Sequence, residues 1–200
     1  MGASLLFGLT QIDIARRELI DTDGYMRYAR IMDLLEGRNG WFDGWIHWSN
    51  SPFGHSMHWT RPLDALVIGL AAPMAPFIGW AEAVYWAGIA SGPLILLALV
   101  GVVVWVARPF MSAQAAALAG LICVFQPGVL GYSTLGRLDH HVLIALISLM
   151  ALGGTLRSLD GLGPPAVWTG VLGAVGLWVS TEAILPVGLS LAALVIAWVI

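Results

Sequence analysis

Long apolar runs constrain this chain more than any other feature. After residue 61 the sequence falls into apolar segments at about 63–80, 84–107, 112–132, 142–156, 165–180 and 186–200, joined by short connectors. Runs of roughly 15 to 24 residues with no polar face at helical period belong to helices surrounded by lipid or by other apolar helices. Hydrophobic residues make up 58% of the sequence and charged ones 10%. An ordinary soluble domain carries ~25% charged residues, so the composition argues against a soluble fold. The expected fold is all-α: a polytopic transmembrane helix bundle forming a single domain over residues 1–200. The 63–80 segment is the exception among the runs. Pro73 and Pro76 remove backbone donors there, which predicts a broken interfacial or re-entrant piece rather than a straight span.

The formal net charge is −3, and all nine basic residues are Arg, scattered without a basic stripe; nucleic acid is not an expected partner. Cys123 is the single cysteine and can supply neither an internal disulfide nor a multi-cysteine metal site. Near the start, the apolar stretch Ala3–Leu9 lacks a basic leader and a small-residue cleavage site, so it does not read as a signal peptide. The last apolar run reaches Ile200 with no polar exit, and the chain reads as a fragment truncated at both ends.

Residues 11–61 carry six of the nine Arg and seven of the twelve acids, and form the one substantial aqueous piece, an expected long external first loop. Within it, Asp23 to Glu36 spaces Tyr25, Ile31, Met32, Leu34 and Leu35 among charges in a helix-compatible pattern, closed by Gly37 and Asn39-Gly40. This predicts an amphipathic helix on the membrane surface. Trp41, Phe42, Trp45, Trp48 and Trp59 follow, with His47, His55 and His58. Indole rings favour the headgroup level, so an interfacial aromatic belt against membrane lipid is the main reading and sugar or headgroup stacking the sharper one. The three histidines match no compact zinc spacing.

Positive-inside parity gives a provisional orientation. With 63–80 not crossing, Arg108 and Arg157 share one face, taken as cytoplasmic. The 11–61 segment, Asp139 and Glu182 then share the other, at the expense of placing six Arg outside.

Two clusters carry potential chemistry. Asp21-Thr22-Asp23 opens the amphipathic helix, where carboxylates suit both an N-cap and the positive end of the helix dipole. As hard oxygen donors they also suit Mg²⁺ or Mn²⁺ held against a substrate phosphate. Gly136-Arg137-Leu138-Asp139-His140-His141 opens a membrane helix, and an ionisable cluster there marks a functional site unless it merely caps the helix. Adjacent helical side chains point about 100° apart, so only one of His140 and His141 is expected to share an ion with Asp139, and His141 is the candidate. Glu182, between two spans, either lines a cavity or caps a helix. No G-x-S-x-G elbow is present.

Thr22-Asp23-Gly24-Tyr25-Met26-Arg27-Tyr28-Ala29-Arg30, then Leu34-Leu35-Glu36-Gly37, Trp41-Phe42-Asp43 and Ser51-Pro52-Phe53-Gly54, resembles the first external loop of oligosaccharyltransferase catalytic subunits. Downstream, Gln126-Pro127-Gly128-Val129-Leu130-Gly131-Tyr132-Ser133 and Gly136 to His141 are similar to that family's P-G-Y-x-x-R-S-x-x-G-x-x-D-x-[DE] stretch. The resemblance covers roughly residues 10 to 160. It implies a GT-C-like membrane glycosyltransferase at a bacterial inner membrane, its site facing the non-cytoplasmic side. Such an enzyme takes a sugar or oligosaccharide from a polyprenyl-phosphate-linked donor and passes it to an acceptor that the residues do not identify.

On that match Asp23 and Asp139 are the catalytic, metal-binding acids, with His141 standing where the family has Asp or Glu. The implied cofactor is Mg²⁺ or Mn²⁺. Asp21, Arg27, Arg30, Arg137, His140 and Glu182 are candidate substrate-binding residues, the arginines through forked contacts to phosphate. The family's W-W-D motif and its later external Glu are not found in this sequence. Two other readings stand beside this one. A transporter or flippase subunit would use Asp139, His141 and Glu182 as a relay and show broken helices in corresponding halves; a non-catalytic fragment would need none of these roles.

Overall fold

In the computed structural model, residues 16–161 and 166–200 are described. The expectations placed on residues 1–15 and on 162–165 lie outside them. Among the described residues the chain is mostly helical, with one two-stranded hairpin. The described residues divide into two compact units, one within 16–93 with 132–139, the other within 94–131 with 140–161 and 166–200.

In the first unit, helix α1 (Thr22–Leu35) starts where Asp21 Oδ1 accepts the Gly24 N–H at 2.9 Å, and it ends as Gly37 turns to φ 72°. Only glycine adopts that backbone at no steric cost. The expected amphipathic helix is there, but its buried face is not an apolar stripe. Arg27, Arg30 and Asp33 are buried on it beside Gly24 and Ile31. The reason is helix α2 (Pro62–Ala71), which presents Asp64, fully buried, to that face. Arg27 reaches Asp64 Oδ1 at 2.8 Å, while Arg61 and Arg30 approach Oδ2 at 2.9 and 3.5 Å. Arg30 also donates to the Trp59 carbonyl, and the Arg27 guanidinium lies 4.7 Å from the Trp59 ring centroid. One carboxylate therefore serves three guanidiniums. Burial lowers the Arg30 pKa to about 10; Asp64 opposes this, while Arg61 and Arg27 add to it.

Between α1 and α2 runs a hairpin of β1 (Trp45–Ile46) and β2 (His55–Ser56), with Trp45 opposite Ser56. The proline-rich stretch breaks as expected: α2 stops at Ala71, a single turn α3 (Ala75–Ile78) follows, and Gly79 at φ 81° ends it.

Helix α4 (Trp80–Ala107) continues through Pro93 for 28 residues. Its first half packs on the 132–139 segment, and at Gly92 a Cβ would meet the Ser133 and Thr134 backbone at 3.1 Å. Leu19, Tyr85 and Ile89 are the buried centre of this unit's apolar cluster, flanked by Ile20, Tyr28 and Leu135.

The second unit holds α5 (Ala113–Val124), α6 (Pro127–Tyr132), α7 (His141–Leu159), α8 (Ala166–Val179), a 3₁₀ turn (Thr181–Ala183) and α9 (Ile184–Val199). The apolar run 112–132 is not one span: α5 closes at Phe125, and the chain restarts at Pro127. The residue before a proline is held out of the α region, which explains the break at Gln126. Among the described residues, three helical stretches, Trp80–Ala107, His141–Leu159 and Thr181–Val199, are long and apolar enough to cross a membrane. Their packing rests on small residues. A Cβ at Gly153 would press into Trp105 and Val106, and one at Gly173 would meet Val187 at 2.9 Å. Close helix approach at such residues is what holds bundles together in lipid. Gly153→Leu should cost about 1–3 kcal/mol by overpacking, read as a lower thermal midpoint in detergent, whereas leucine at open Gly170 should not.

Candidate metal centre

The site grows from the 132–139 segment. Gly136, at φ 80°, donates its N–H to Ile89 O at 3.2 Å and accepts Ile20 N–H at 3.1 Å, which ties the segment to α4 and to the entry of α1. Leu138 is buried against Gly88, where a Cβ would stand 3.3 Å from its Cδ2. The next side chain, Asp139, is 6% exposed. Arg137 lies between two carboxylates, its Nε 3.7 Å from Asp139 Oδ2 and its NH2 3.6 Å from Asp21 Oδ2. Its guanidinium also sits 4.4 Å from the Tyr132 ring centroid. Asp21 thus has two tasks, capping α1 with one oxygen and facing Arg137 with the other.

Helix α7 begins at His141, with His140 as its N-cap at φ −90°, ψ −11°. Ligand atoms of the consecutive residues Asp139, His140 and His141 lie within 4.8 Å of one another, a group that can hold a metal ion. The expectation that only one of the two histidines could join Asp139 is corrected here. That expectation assumed both were already helical; His140 lies ahead of the helix, and the two rings stand 4.6 Å apart at 30°. In the second unit, His141 Nε2 is 3.6 Å from Glu182 Oε2. Glu182 stands on the 3₁₀ turn capped by Ser180, whose Oγ accepts the Glu182 N–H.

Two imidazoles and one carboxylate make a mixed nitrogen and oxygen donor set. Such a set suits Mn²⁺, Fe²⁺ or Zn²⁺ better than Mg²⁺, which prefers all-oxygen octahedra.

The other sequence candidates sit elsewhere. Asp23 is exposed in the first turn of α1 and stands outside the metal-capable group. Arg27 and Arg30 are buried against Asp64. Asp64 itself was not singled out from the sequence, although an acid two residues after Pro62 within an apolar run was a signal to ask what neutralises it. No protein-family model matches the chain, and no curated protein or solved structure matches it either.

Proposed function

We propose that this chain is a membrane glycosyltransferase that takes a sugar from a polyprenyl-phosphate-linked donor. The observation that carries the proposal is the Asp139-His140-His141 group at the head of a membrane-length helix, with Arg137 beside Asp139. Ionisable clusters within membrane spans are costly and are retained for substrates or ions, and the same reasoning applies at the mouth of a span. The ordered likeness of 22–54 and 126–141 to oligosaccharyltransferase catalytic subunits supplies the reaction class.

A bound divalent cation would neutralise charge on the departing phosphate. Asp139, His140 and His141 would hold that ion, while Arg137 would donate to phosphate oxygens in place of its long contacts to Asp21 and Asp139. In the transfer, the bond from the anomeric carbon to the phosphate oxygen breaks. The acceptor nucleophile bonds to the same carbon, and its proton passes to a carboxylate, for which Asp21, facing Arg137, is the candidate. The donor set favours Mn²⁺ over Mg²⁺ as the working ion.

The test is transfer from a polyprenyl-phosphate-linked sugar by the full chain in lipid nanodiscs. Activity should disappear with chelator and return with Mn²⁺; transfer unaffected by chelator would reject the metal mechanism. A transporter reading gains one observation, since 112–132 is interrupted as 63–80 is. Metal-dependent substrate movement across sealed vesicles without covalent transfer would favour it.

A further inference from the structure

The hairpin between α1 and α2 is built inside out for a water-facing surface. Ile46 and Met57 are buried, whereas Trp41, Phe42, Trp45, Trp48 and Phe53 are exposed, Phe42 at 92% and Phe53 at 77%. Loose folding does not explain this, because the backbone is pinned at several points. Met57 N–H donates to Gly44 O at 2.7 Å, Asn39 Nδ2 to Trp45 O at 3.1 Å, and Asn50 Nδ2 to Gly54 O at 3.1 Å. Gly54 is required where it stands, since a Cβ would meet Trp45 Nε1 at 2.7 Å. The Trp48 indole N–H is already committed to Asp33 Oδ2 at 2.8 Å, so what Trp48 offers outward is its apolar body.

We propose that residues 41–54 form a preformed wedge that enters the bilayer interface, with Phe42 and Phe53 leading below the headgroups. Three observations select lipid as the occupant. Three of the described helices are long and apolar enough to cross a membrane, which makes a bilayer the apolar phase nearest to hand. The same unit exposes Phe77, Ile78 and Trp80 where its membrane-length helix begins. From 41 to 60 the only Asp, Glu or Arg is Asp43, so little charge must be desolvated and no anionic lipid is needed. Aromatic residues with an apolar body are the side chains that favour this depth. Because the wedge is held by the neck residues Asn39 and Asp33, binding would not require the loop to order itself first.

The test uses the full chain with Cys123→Ser, carrying Phe42→Cys, Phe53→Cys or, as a control, Thr22→Cys. Each is labelled with a polarity-sensitive fluorophore and reconstituted in zwitterionic phosphatidylcholine. At 42 and 53, emission should shift to shorter wavelength and be quenched by a nitroxide placed high on the acyl chains, while aqueous iodide has little effect. The Thr22→Cys label should behave in the opposite way. Iodide reaching 42 and 53 as readily as 22 would overturn the proposal. So would protection from iodide that appears only on adding a soluble oligosaccharide, which marks a sugar platform. Protection that depends on protein concentration in detergent would likewise overturn it, by marking an interface between copies.

Discussion

Asp64→Asn is expected to unfold the first unit. The substitution leaves Arg27, Arg30 and Arg61 facing one another with no carboxylate, all of them buried. Removing one partner of a buried ion pair costs about 3–5 kcal/mol because the remaining charge is uncompensated, and here three charges remain. Arg30 already bears part of this strain, its pKa lowered to about 10 chiefly by burial. For a unit of this size the loss corresponds to a fall in thermal midpoint on the order of 10 °C or more. It would be read by protease sensitivity between 36 and 61 and by melting in detergent. Adding Arg30→Met to Asp64→Asn removes one unpaired cation and should recover part of the loss. An Asp64→Asn protein that melts like the parent would mean that water or lipid reaches the cluster.

Asp139→Ala is expected to remove metal binding and transfer together, while Asp23→Ala leaves metal stoichiometry unchanged. The contrast separates geometry from resemblance. Resemblance pairs Asp23 with Asp139 as the two metal acids. The structure groups Asp139 with its two histidine neighbours and places Asp23 on the exposed first turn of α1. His141→Ala should weaken metal binding at least tenfold, since losing even an outer-shell partner of a ligand costs about 10–100-fold. Isothermal titration with Mn²⁺ on folded, monodisperse variants reads all three. If Asp23→Ala also empties the site, the acid pair implied by the resemblance is correct and α1 must move on loading.

The helical, apolar character of the chain was legible because hydropathy over a run of residues reports solvent directly. So was α1, since its cap Asp21 and its terminator Gly37 are local signals that tertiary contacts did not override. What escaped was non-local. Arg27 and Asp64 lie 37 residues apart, and nothing near either residue announces the other, so the arginines read as free phosphate ligands. The interruption at Gln126-Pro127 was visible in principle but was outweighed by the apolarity on both sides. In the candidate site, Asp139 and His141 were singled out from residue type and position, whereas the grouping of His140 with them depends on His140 preceding the helix, which starts at His141. The link from Asp139 through Arg137 to Asp21, rather than to Asp23, follows from which α1 carboxylate turns toward the 132–139 segment, a matter of packing and not of spacing.

The most direct test of the proposed centre puts ion and substrate class in one observation. The full chain in nanodiscs is loaded with one equivalent of Mn²⁺, and ³¹P relaxation of an added polyprenyl-phosphate-linked sugar is measured. The account predicts strong paramagnetic broadening of the donor phosphorus with the parent protein and none with Asp139→Ala. Equal broadening in both, or none in either while the parent protein holds its Mn²⁺, would contradict it.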